Sequence, residues 1–388
     1  MSTEIPESVP ASFPPADDDV PASVAATTSP TASASAEPTS AAPRRPRDRP
    51  PAPRAEFSTV PWRRVGLFIV IAYGLFALCA LPFWFLPGGI THPLFTPVIA
   101  VGMLAPAVAS VILAKGVEKT SWRTRVGLRF RGRWRALLLW GPLALVLMVA
   151  LGLLGAMLMV LRGVPGDLTA RTWLTLATEQ LSAAAGAEIP PAAAAAAVIA
   201  TTAFGIAVTT VFALGEEIGW RGWLWPALKP LGRVRASVLG GIIWSLWHLP
   251  VLAIGYNYAG QPRAAAIGMF LLPCIAMSLL FNALTERAGG NPIPAAIAHA
   301  TSNSATPLLI GLVSSAQTAS ALNPFVDNAS GVVGVALLLL AGATVMPWSR
   351  LRREQGEIDA RAPGDVSSAP AGPGPGGGVA DPPPHRVA

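Results

Sequence analysis

The sequence is short of charge. Only 13% of its 388 residues are Asp, Glu, Lys or Arg, about half the share usual in soluble proteins. Yet 52% are hydrophobic and the mean hydropathy is +0.51. An ordinary soluble globule and a wholly disordered chain are both excluded. There are two cysteines, Cys79 and Cys274, each inside an apolar run, so no disulfide framework or paired metal-ligand spacing exists and both read as inert buried thiols. No G-x-S-x-G elbow is present and neither cysteine lies near a histidine in sequence, which weakens covalent catalysis. No inverted repeat of the transporter kind and no nucleic-acid motif is found. The first thirty residues carry Glu4, Glu7 and Asp17–Asp19 where a signal peptide would have a basic start and an apolar run, so no cleavable signal is expected.

What is abundant looks contradictory. The chain holds 39 Pro and 37 Gly. The two compositions are segregated. Residues 1–60 and 350–388 are Pro/Ala/Ser- and Pro/Gly-rich and are expected to be disordered tails. The Arg-rich stretch from Arg44 to Arg54 reads as a solvated tail that could also lie on anionic headgroups. Residues 61–349 carry the apolar runs and read as a polytopic membrane domain. Stretches of about 20 residues, the length needed for a ~30 Å hydrocarbon core, fall near 65–87, 94–114, 136–161, 192–214, 236–256, 264–284, 293–313 and 331–347. The segment 162–191 between the third and fourth suggests an interfacial helix with Trp173 at headgroup level. The expected fold is therefore all-α, with about eight transmembrane helices.

The basic residues support this count. Arg63 and Arg64, the eight from Lys115 to Arg135, Arg221 to Arg235, Arg287 and Arg350 to Arg353 all fall on one side of the alternation. Only Arg162, Arg171 and Arg263 fall on the other. The positive-inside rule then places both termini in the cytoplasm and accounts for the net charge of +7.

Scarcity also locates the chemistry. Eight acids lie in the membrane domain, and two are adjacent: Glu216 and Glu217, just after the fourth span. Carboxylates there are costly unless paired or facing a polar cavity. In a helix Glu217 and Arg221 share a face in the favoured ion-pair order. Glu216 is turned about 100° away and is free for other work. Two of the four histidines, His248 and His299, lie inside spans, and Asn303 follows His299 by one helical turn. Pro250 is expected to bend or break the helix that carries His248. A carboxylate as base on water, a His to orient it, and a His with an Asn to donate to an oxyanion make a hydrolytic set. Each part alone has a plain alternative: an interfacial ion cluster, a buried His on a backbone carbonyl, or helix–helix glue. Trp220, Trp223 and Trp225 read as an interfacial belt, with the substrate entrance as the other reading.

These residues resemble a known family. Glu216-Glu217-Ile-Gly-Trp-Arg221 is similar to the EExxxR motif of the CPBP intramembrane proteases, also called the type II CAAX prenyl endopeptidase or Abi family. His248 matches the FxxxH motif, with Trp244 in place of Phe, and His299-Ala-Thr-Ser-Asn303 matches HxxxN. The resemblance spans roughly residues 195–310. It implies Glu216 as the base, His248 as a holder of the water, His299 and Asn303 as the oxyanion site, and Glu217 and Arg221 as structural support. Trp244 becomes a candidate substrate wall. No essential metal is expected, although Glu216, His248 and His299 could form a His₂Glu zinc site. The expected partners are the bilayer and a membrane-associated or prenylated peptide or protein substrate. The expected location is the cell membrane, multi-pass, with the active site toward the cytoplasmic side. A non-catalytic immunity or scaffold protein on the same fold is the alternative, and a small-solute transporter a weaker third.

Overall fold

The computed structural model describes residues 57–166, 169–258, 260–313, 322–327 and 329–348. The tails expected at 1–60 and 350–388 lie outside them, except for 57–60. Among the described residues there are helices and connecting turns and no strand. In chain order come α1 (Trp62–Ala80), α2 (Phe95–Gly102), α3 (Ala105–Ile112), α4 (Trp122–Arg125), α5 (Trp134–Leu161) and α6 (Ala170–Ala185). α7 (Pro191–Gly219) runs directly into a π-helical turn, Trp220–Leu224, and α8 (Trp225–Leu228). Then follow α9 (Arg233–Trp247), α10 (Leu249–Leu252), α11 (Arg263–Arg287), α12 (Ile293–Val313) and α13 (Val332–Val345).

Among the described residues, five stretches are long and apolar enough to cross a bilayer: Trp62–Trp84, Phe95–Val117, Trp134–Leu161, Pro191–Leu231 and Arg263–Arg287. The other three expected spans are helical but fall short for separate reasons. α9 has 15 residues and stops at Trp247. Pro250, with no N–H to continue the ladder, lies in the first turn of the short α10 that follows. α12 is long enough but is interrupted by His299, Ser302, Asn303 and Ser304. α13 has only 14 residues, all apolar or small. The connection before α7 is also helical: Thr169 caps α6 by accepting from the Thr172 N–H at 3.2 Å, and Gly186 ends it in the left-handed region.

α7 and α3 approach closely because Gly215 and Gly219, one turn apart, form a notch. A Cβ on Gly219 would lie 2.3 Å from Pro106 Cβ, and one on Gly215 would lie 3.0 Å from the Leu104 Cα. This small-xxx-small pattern brackets the Glu pair and sets the height of Glu216 against its neighbours. Gly219→Ala must push α3 away. Overpacking of this kind costs about 1–3 kcal/mol. We expect a lower thermal midpoint in detergent, and an unchanged midpoint would mean the close approach is not needed.

The connections gather at two ends. At one, Arg125 pairs with Glu118 at 2.7 Å, Asn291 Nδ2 donates to the Arg129 carbonyl at 3.1 Å, Arg133 donates to the Gly289 carbonyl, and Arg233 and Lys229 meet Glu286 at 3.0 and 3.4 Å. At the other, Trp84 donates to the Pro250 carbonyl at 2.9 Å, Tyr258 to the Ser330 carbonyl at 2.8 Å, and Arg162 Nε to Asp327 at 3.0 Å.

Candidate active site

Glu216 and Glu217 are both buried near the end of α7, and their side chains do different things. Glu216 Oε2 accepts from two indoles, Trp244 Nε1 at 2.7 Å and Trp220 Nε1 at 3.2 Å. One oxygen is thereby fixed by donors on two helical segments. Its other oxygen takes no hydrogen bond among the described residues, and Glu216 lines a cavity of about 190 Å³. Glu217 faces the other way. Arg221 Nη1 donates to its Oε1 at 3.1 Å, and the Arg221 Nε lies 3.1 Å from Oε2. His299 Nδ1 is 2.9 Å from the same Oε1. The Arg221 guanidinium sits over the Trp244 ring at 4.4 Å and the Phe281 ring at 5.1 Å. A charge this deeply buried is tolerable only with such partners.

The two histidines are held by one nitrogen each. His248 caps α9, and its Nδ1 lies 2.9 Å from the Trp244 carbonyl. A carbonyl only accepts, so Nδ1 carries the proton, and neutral His248 keeps Nε2 as an acceptor. His299 Nδ1 is occupied by Glu217, which leaves Nε2 as its second polar atom. Trp244 lies between them, with ring centroids 5.8 Å from His248 and 5.3 Å from His299. Both rings line the cavity, as does Asn303, one turn along α12 from His299.

The structure thus brings Glu216, Trp244, His248, His299 and Asn303 to one cavity wall, with Glu217 and Arg221 behind it. Trp244 does more than form a wall, since it donates to Glu216; a Phe at that place would leave Oε2 with one donor fewer. Trp220, Trp223 and Trp225 are not an interfacial belt. They are only 3%, 1% and 5% exposed, and Phe68 stacks on Trp223 at 4.9 Å. Their apolar surface is spent on packing inside the bundle. Sequence reasoning missed Tyr256 and Ser302, which also line the cavity. Ser302 sits within the HxxxN segment and was open to notice. Tyr256 lies in a loop after the Pro250 stop, where no pattern marks it.

Among the described residues no three His, Cys, Asp or Glu side chains converge closely enough to hold a metal ion. Each residue of the alternative zinc set holds one polar atom on the protein: His299 Nδ1 on Glu217, His248 Nδ1 on a carbonyl, and Glu216 Oε2 on two indoles.

The segment that carries these residues is similar to known proteins. Residues 198–305 match the family described as Type II CAAX prenyl endopeptidase Rce1-like. The chain is also 43% identical over 44 residues to CAAX prenyl protease 2 of Methanococcus maripaludis. That alignment covers 11% of this chain and 16% of the relative. The family match ends just beyond Asn303 and so contains all the cavity residues named for chemistry. Both matches are partial, and the chain is aligned to about a sixth of the relative's length.

Proposed function

We propose that the chain is an intramembrane endopeptidase that hydrolyses a peptide bond with a water activated by Glu216. The observation that carries this reading is the split between the two adjacent carboxylates: one fixed to Arg221 and His299, the other lining the cavity with an oxygen to spare. Glu216 takes a proton from water as the water attacks the carbonyl carbon. His248 Nε2 accepts a hydrogen bond from the same water and holds it in line. His299 acts in its imidazolium form, with Nδ1–H on Glu217, so that Nε2–H and the Asn303 amide both donate to the oxyanion that forms. Glu216 then passes the proton to the leaving amine. Glu217 orients His299 as a carboxylate orients imidazole in other hydrolases. No metal takes part in this scheme.

In the same reading, eight crossings alternate through the bilayer, with α9–α10, α12 and α13 completing the five long spans. The three weaker crossings bury their polar or short segments against the others. Both termini lie on the side of the basic loops, taken as the cytoplasm. The substrate is a membrane-associated polypeptide, with a prenylated C-terminal segment as one form suggested by the family and relative names.

Comparing the membrane proteome of cells carrying the natural chain with cells carrying Glu216→Ala tests the proposal. An uncut protein should accumulate in the variant, and the purified chain should cleave that protein in detergent after strong chelation. Identical proteomes would favour the scaffold alternative, and activity lost on chelation and restored by zinc would reverse the metal assignment.

A further inference from the structure

The basic end of the bundle holds more positive charge than the fold consumes. Several of its cations have partners inside the protein. Arg125 is buried against Glu118 at 2.7 Å, and Arg64 reaches the same carboxylate at 3.6 Å. Arg233 and Lys229 share Glu286, and Arg133 donates to the Gly289 carbonyl. Arg287 donates to the Val345 and Met346 carbonyls at 2.9 and 3.2 Å.

The connection before α5 is different. From Lys115 to Arg135 it carries eight basic residues and one acid, and that acid is already taken by Arg125 and Arg64. Lys115, Lys119, Arg123, Arg131 and Arg135 are exposed and form no ion pair among the described residues. Exposed Arg63 joins them, since Arg64 ties the start of α1 to Glu118. Like charges gathered at one end repel one another unless anions from outside approach them.

Large rings lie among these cations. Trp62, Phe130 and Trp134 are 56%, 61% and 55% exposed. Trp62 opens α1 and Trp134 opens α5, two of the long apolar stretches. The rings therefore stand where apolar helix gives way to polar connection. A soluble polyanion would leave them uncovered. A phospholipid suits both kinds of group: phosphate oxygens meet the cations, and the boundary between headgroup and acyl chain takes the rings.

The patch is joined to the candidate site by packing. A Cβ on Gly222 would lie 3.0 Å from Val126, so the connection rests directly on the π-turn that carries Arg221. The Arg125 guanidinium sits over Phe57 at 3.8 Å, and Phe57 meets Trp223 edge-on at 6.4 Å.

We propose that these six exposed cations, with Trp62, Phe130 and Trp134, form a binding surface for the phosphate headgroups of anionic phospholipid, and that the bound lipid holds the connection 115–135 against the π-turn. The proposal is independent of the protease reading.

Lipid retention by the full chain tests it. The protein is purified in a neutral detergent and mixed with equal amounts of phosphatidylglycerol and phosphatidylcholine of identical acyl chains. Native mass spectrometry then counts the copies of each lipid that stay bound. Phosphatidylglycerol should be preferred, by about fivefold for each cation engaged. The triple variant Arg123→Gln/Arg131→Gln/Arg135→Gln should lose most of this preference, whereas Arg171→Gln, an exposed position in α6, should keep it. Phosphatidylglycerol should also raise the thermal midpoint of the natural chain more than phosphatidylcholine does, as a ligand of the folded state must. Without lipid the triple variant should unfold at the natural midpoint, because its three side chains are exposed. Equal retention of the two lipids by the natural chain, or an undiminished preference in the triple variant, overturns the proposal. Tighter binding of polyphosphate than of phosphatidylglycerol assigns the surface to a soluble polyanion and overturns it as well.

Discussion

Glu216→Gln is expected to slow peptide cleavage by about 10²–10⁴-fold, the range lost when a positioned general base is removed. The substitution keeps the shape of the side chain. The amide oxygen can still accept from Trp244 Nε1 and Trp220 Nε1, which now hold Oε2 at 2.7 and 3.2 Å. What disappears is the ability to take a proton from water. The thermal midpoint should therefore stay near that of the natural chain while single-turnover cleavage collapses. A variant that cleaves at the natural rate would remove Glu216 from the chemistry and leave the two histidines without a base.

Glu217→Ala should act through the fold. Its carboxylate is fully buried and carries both Arg221 and His299. Removing it leaves a guanidinium with 1% side-chain exposure and without its ion-pair partner. Breaking a buried pair from one side costs about 3–5 kcal/mol. We expect a large fall in thermal midpoint together with lost activity, because His299 also loses its anchor. The double variant Glu217→Leu/Arg221→Met removes both charges and should regain much of the stability without regaining activity. If Glu217→Ala were as stable as the natural chain, the ion pair would be incidental. Comparing the unfolding curves of the single and double variants separates a structural loss from a chemical one.

The candidate site was more legible in the sequence than the membrane topology. Scarcity is the reason. In a span nearly free of charge, Glu216, Glu217, His248 and His299 stand out one by one, and helical spacing places Asn303 beside His299. The partners of those groups were not legible. His299 meets Glu217 from 82 positions away, and Trp244 meets Glu216 from 28. Such contacts depend on how helices pack, which periodicity does not encode. Trp220, Trp223 and Trp225 misled because an aromatic cluster near a span end looks the same whether it faces headgroups or neighbouring helices. The spans were clear where apolar runs were long, as in α5 and α11. They blurred in α9 and α12, where polar residues dilute the same signal that marks a membrane helix. The helix break at His248 followed from Pro250, a local cause with a local effect.

The π-helical turn at Trp220–Leu224 ties Glu216 to a phase. It holds one residue more per turn than an α-helix, and it lies between Glu216 and the anchored segment Trp225–Leu231. Closing it by a one-residue deletion would rotate everything upstream by about 100° relative to α8. The Glu216 carboxylate would leave the cavity wall although every residue that lines it remained in the chain. Part of the candidate site is thus recorded as a count of residues, and a homologous segment with the same letters but one position fewer would be a different protein.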